Sequence, residues 1–156
     1  MRLFLLIFTL LASPAIAMDQ TPFLKIQSAQ AAASVGAAKA GAGYLVIHNG
    51  TAEPETLLRV EGDFPRIELH TIVEVDGQAM MEHQEDGIEI PAGGMLTMAP
   101  GGFHVMFMGL SEPFVAGDTF DATLIFENGG AKPVTFTIVD RSELKQTDHD
   151  HNDGSH

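Results

Sequence analysis

Beyond residue 18 the chain is cut every few residues by Gly, Pro, Asn or Asp, and between the cuts apolar residues tend to alternate with polar ones. A period of two with frequent punctuation is the pattern of an all-β sandwich or barrel rather than of helices. Candidate strands are Phe23 to Gln27, Tyr44 to Asn49, Thr56 to Val60, Ile67 to Val75, Gly87 to Ile90, Met95 to Ala99, Phe103 to Met108, Thr119 to Glu127 and Val134 to Asp140. The turns between them are marked by Asn49-Gly50, Asp76-Gly77, Pro91-Ala92-Gly93-Gly94, Pro100-Gly101-Gly102 and Asn128-Gly129-Gly130. A single domain over residues 18–140 is expected. Ser28 to Ala42 is alanine-rich, but Gly36, Gly41 and the lack of an apolar stripe oppose a helix, so this stretch is expected to be extended or irregular. Residues 141–156 are polar, charged and without period, and are expected to form a flexible tail.

Successive side chains of a strand point to opposite faces of the sheet, so alternation also assigns faces. Phe103, Val105 and Phe107 share one side as the natural core, which places His104, Met106 and Met108 on the other. In the run Ile67 to Val75 the more apolar set is Ile67, Leu69, Thr71, Val73 and Val75, so His70 points away from it together with Glu68, Ile72 and Glu74. The runs Phe120, Ala122, Leu124, Phe126 and Val134, Phe136, Ile138 are expected to be core.

The first residues have a different layout: Arg2, an apolar run from Leu3 to Ala12, Pro14, and the small-residue triplet Ala15-Ile16-Ala17. That is the form of a secretory signal peptide over residues 1–17, predicting export and a mature start at Met18 without a membrane anchor. The sequence has no cysteine. Disulfides, a lipid-modified cysteine and thiolate metal sites are thereby excluded, leaving chemistry to His, Met, carboxylates and hydroxyls. A net charge of −13 opposes binding to nucleic acid or anionic membranes and favours a cationic ligand or a basic partner.

Met80, Met81, Met106 and Met108 stand alongside His70, His83 and His104 in this cysteine-free chain. Thioether sulfur with imidazole nitrogen suits Cu(I), a soft ion without strict geometric demands. A blue-copper centre would need a cysteine sulfur, and zinc sites use Cys, His and carboxylates rather than thioethers. Met95 and Met98 read as packing residues, and His48 as structural or merely exposed. His149, His151 and His156, set among aspartates in the tail, suit a harder ion such as Cu(II).

His70, Met81, His104 and Met106 stand in the arrangement H-x10-M-x22-H-x-M. They lie within segments that resemble the periplasmic copper chaperone family PCu(A)C: Gly43 to Asn49, Glu68-Leu69-His70, the block GIEIPAGG from Gly87, the block PGGFHVMFMGL from Pro100, and Gly117-Asp118. The resemblance runs from Tyr44 to Asp140. It implies a cupredoxin-like Greek-key β-sandwich and a solvent-accessible Cu(I) site formed by His70, Met81, His104 and Met106. It also implies a periplasmic carrier that passes copper to a receiving protein such as cytochrome c oxidase subunit II or an assembly factor. Two departures stand out. No second Met follows His70 closely, and Glu82-His83-Gln84 replaces the usual Arg-Pro type segment, which makes His83 a competing ligand. Met108 is an auxiliary candidate.

Carriage of Cu(I) is the leading expectation and periplasmic copper buffering or resistance its alternative, favoured by the tail histidines. Catalysis is not expected, because no nucleophile–base or acid pair is evident.

Overall fold

The computed structural model describes residues 23–144. Ten strands follow one another: β1 (Leu24–Ala32), β2 (Ala40–Asn49), β3 (Glu55–Gly62), β4 (Arg66–Val75), β5 (Gln78–His83), β6 (Ile88–Ile90), β7 (Met95–Thr97), β8 (His104–Met108), β9 (Thr119–Phe126) and β10 (Gly130–Val139). Among the described residues there is no helix, and so none long and apolar enough to cross a membrane. The strands form one sheet in the order β5-β4-β8-β2-β1-β10-β9-β3-β6, with β7 pairing on β2. Neighbours β1–β2, β4–β5 and β9–β10 are antiparallel, while β1 and β10 run parallel. The connections β2 to β3, β3 to β4, β5 to β6 and β8 to β9 each cross between the two halves of that order. The result is an all-β, cupredoxin-like fold.

The sheet folds on itself around one core. Leu45, Ile47, Leu69, Val105 and Phe107 from one half join Leu57, Ile90, Leu124 and Phe136 from the other in a single buried cluster. Phe107 meets Phe120 and Phe136 edge-on, with ring centroids 4.9 and 5.5 Å away, the arrangement favoured by the aromatic quadrupole. Gly43 makes room for them. A Cβ there would lie 2.8 Å from Phe107 and 3.0 Å from Phe136. Asn49 closes the end of β2: its buried amide nitrogen donates to the carbonyls of Glu53, Ile90 and Pro91, and its oxygen accepts from Thr51.

The strands anticipated from alternation are present, several of them longer. β1 continues to Ala32 because the ladder with β2 absorbs an irregularity between Gln27 and Gln30, where Ser28 adopts φ +53°. The remainder of the Ser28 to Ala42 stretch splits between a short connection and the start of β2. One strand was not anticipated. β5, Gln78–His83, returns along β4 after a two-residue turn at Asp76 (φ +53°) and Gly77 (φ +76°), with Val75 and Gln78 paired. Positive φ at both positions is the hairpin geometry that Asp-Gly favours.

Two further expectations change. Met98 is buried, but Met95 is 56% exposed and does not pack; it takes the outward side of a three-residue strand whose Leu96 faces the core. The chain also keeps its order past residue 140. The Glu143 N–H donates to the Asp140 carbonyl, and Leu144 is buried, lining a cavity with Tyr44 and Pro100. Its apolar side chain supplies the burial that the polar residues around it could not. Residues 1–17, expected to be a signal peptide, and the tail histidines His149, His151 and His156 lie outside the described residues.

Candidate metal centre

β4 is flanked by β5 on one side and β8 on the other, and this sets the site. His70 is the cross-strand partner of His83 on β5 and of His104 on β8. Directly opposed residues project to the same face, so three imidazoles form a row across three strands. The His70 ring centroid lies 5.3 Å from that of His83 and 5.8 Å from that of His104. The opposite face carries Leu69 and Val105 into the core, which keeps the histidines on the outer side.

The methionines flank this row. Met81 is paired with Ile72, two residues from His70 along β4, and shares the face of His83. Met106 is paired with Glu68 on the other side of the row and shares the face of His104. Met80 pairs with Val73 and so takes the opposite face. Met81 is 51% exposed. Met108 is not brought to the row: it stands two residues beyond Met106, across from Arg66, whose guanidinium donates to its sulfur at 3.0 Å.

Hydrogen bonds determine which ring nitrogens are available. His104 is buried and its Nδ1–H donates to the Gly102 carbonyl at 3.0 Å, leaving the Nε2 lone pair free. Burial holds its pKa below the usual histidine value, so the neutral, ligating form is favoured. His70 Nε2 lies 2.7 Å from Glu68 Oε2. The hydrogen bond with His70 lowers the Glu68 pKa, and Arg66, 3.3 Å from the other carboxylate oxygen, adds to the effect. An ionised Glu68 accepts a hydrogen bond from His70 Nε2–H, and in that neutral tautomer His70 Nδ1 is a buried lone pair with no hydrogen-bond partner among the described residues. A buried acceptor left unpaired is costly and is a natural position for an electrophile. The chemistry on offer is neutral nitrogen and sulfur donation to a soft cation, with a carboxylate orienting one imidazole.

A family profile described as "Putative lipoprotein LpqE-like" matches residues 24–138. The chain belongs to the LpqE-like family. This LpqE-like chain is 41% identical over 76 residues to "Putative lipoprotein Lxx21020" of Leifsonia xyli subsp. xyli, an alignment covering 49% of the chain and 46% of that relative. The chain thus spans about half the length of the curated relative it matches. Among solved structures it is similar to the Cu(I) form of DR1885 from Deinococcus radiodurans, at 29% identity and TM-score 0.63 over 80% of this chain and 84% of that one. The apo form of DR1885 matches at 28% identity and TM-score 0.60, over 93% of this chain and all (100%) of that one. The copper-bound PCuAC domain of PmoF2 shares the fold, at 24% identity and TM-score 0.62 over 75% of this chain and 92% of that one. The fold expected from the resemblance to PCu(A)C proteins agrees with that of this PmoF2 domain.

In the LpqE-like chain two contributors escaped the sequence reading. Alternation puts Glu68 on the face of His70, and its place two residues before a strand histidine is the signal in the sequence for its contact with that ring. Tyr44, whose ring lies 6.5 Å from that of His104, covers the end of the histidine row, and burial pushes its phenol pKa up. His48 has a partner of its own, Gln27 Oε1 at 2.9 Å, remote from the row.

Proposed function

We propose that this protein is an exported copper carrier that holds one Cu(I) through His70, His104, Met81 and Met106 and passes it to a receiving protein. The observation that carries the reading is the row of imidazoles on the outer face of β5, β4 and β8, with a methionine on each side of it. The similarity to the Cu(I) form of DR1885 supports the same ion. Copper is cargo here. Thioethers and neutral imidazoles bind it without charge neutralisation, so a partner offering thiolates can displace them one at a time at an accessible site. Delivery toward the dinuclear copper centre of cytochrome c oxidase is the destination we assign. Export follows from the leader-like residues 1–17 and from the lipoprotein description of the family. No residue of this chain can carry a cysteine-linked lipid, because it has no cysteine.

The test is an anaerobic Cu(I) titration of the apo-protein against a chromophoric chelator. One equivalent should bind, and His104→Ala with Met106→Ala should abolish it. Binding that is absent, or indifferent to the double substitution, would refute the carrier reading. Oxidase copper content in a deletion strain tests the destination: a normally loaded enzyme in a copper-sensitive strain would point to buffering instead.

A further inference from the structure

We infer that the face carrying the histidines holds a second, overlapping donor set, Glu68–His70–His83, that takes a divalent cation of borderline hardness, Zn(II) or Cu(II). One donor atom from each of these three residues lies within 4.8 Å of the other two. Glu68 Oε2 and His70 Nε2, hydrogen-bonded in the metal-free protein, lie 2.7 Å apart, so an ion taken by both displaces the proton between them. A tetrahedral ion with bonds of about 2.0–2.1 Å holds its ligand atoms roughly 3.3 Å apart. The trio brackets that spacing, and the partly exposed His83 ring can turn to complete it.

The register explains why the set exists. Residues i and i+2 of a strand share a face, which puts Glu68 beside His70, and cross-strand pairing puts His83 opposite His70. Glu85 lies 3.7 Å from His83 Nδ1, too far for a hydrogen bond but near enough to add negative charge beside the ion. Two imidazoles and a carboxylate contain no sulfur, and this selects against the soft ion that methionines favour.

The two sets share His70. Filling both at once would require that one ring bridge two cations as an imidazolate, so occupation of one set opposes occupation of the other. The divalent site stands without the Cu(I) reading, whereas the competition rests on it.

Zn(II), which has no redox chemistry, is the probe. It is titrated into the full chain carrying His149→Ala, His151→Ala and His156→Ala, so that those imidazoles do not contribute. One ion is expected to bind. Glu68→Gln, which preserves shape, and His83→Ala, at a partly exposed position, should each weaken it about tenfold or more. His104→Ala and Met106→Ala should weaken zinc clearly less than Glu68→Gln or His83→Ala does, since neither belongs to the set. Zinc that does not bind, or that is lost with His104 and Met106 but not with Glu68 and His83, overturns the site. Cu(I) titrations of the same proteins keep the two readings apart. Zinc bound as described in a protein that ignores Cu(I) would sink the carrier and leave this site standing. Independent, simultaneous binding of both ions would overturn the shared-ligand arrangement.

Discussion

His104 illustrates how one residue couples stability to chemistry. Burial lowers its folded pKa below the ordinary 6.5, so the unfolded chain binds that proton more tightly than the folded one. The stabilisation is therefore complete above pH 6.5 and is lost as pH falls from there through the folded value. The thermal midpoint of the metal-free protein should fall across that window, and the fall should be smaller in His104→Gln; equal losses in both would refute the assignment. Glu68 follows the same sign at lower pH, its contribution present above the ordinary 4.5 and lost as acid protonates it. Gly43→Ala tests the core beneath the site: a methyl group would meet Phe107 and Phe136 at 2.8 and 3.0 Å. Overpacking of this kind costs about 1–3 kcal/mol, measurable by denaturant unfolding. At this scale the orientations of His70, His104 and Met106 were readable from alternation alone. The role of Glu68 was not, because a strand glutamate usually faces water and only a contact distinguishes one that orients a histidine.

Among the elements, β5 carries the greatest functional weight on the least packing. It is an edge strand, and all six of its residues are exposed, yet it supplies Met81 and His83. Its position depends on the Asp76-Gly77 turn. Gly77→Val places a β-branched side chain at positive φ, a strain of roughly 1–2 kcal/mol. We expect metal affinity to drop by up to about tenfold, while the midpoint of global unfolding barely moves because β5 buries so little. A large loss of stability with unchanged affinity would contradict this. β5 was absent from the strands anticipated from sequence because QAMMEH shows no apolar–polar alternation; neither of its faces is buried, so no burial pattern was selected. The Asp-Gly turn was visible, and its consequence, a returning strand, required β4 as a template. The end of β1 is hidden in the sequence for a related reason: the irregularity at Ser28 breaks the period of two while the ladder resumes beyond it.

In the whole molecule, stability and function occupy different regions of one sheet. Phe107, Phe136, Leu45, Ile47, Leu57, Ile90 and Leu124 are fully buried around a common centre, whereas the donor groups lie on the outer face toward the β5 edge. Amide hydrogen exchange should therefore be slowest in β2, β8, β9 and β10 and fastest in β5, with added metal slowing β5 most. Uniform protection across all ten strands would argue against that division. The period of two and the turn residues by themselves determined the all-β class and the core faces of β8, β9 and β10, and composition determined the kinds of donor atom the chain can offer. Those are local properties, set by backbone geometry and side-chain chemistry within a few residues. Which donors meet was decided only by tertiary structure. His70, His83 and His104 become neighbours because β4 lies between a hairpin partner and a strand more than thirty residues downstream, and cross-strand register is a property of the closed core rather than of any one segment.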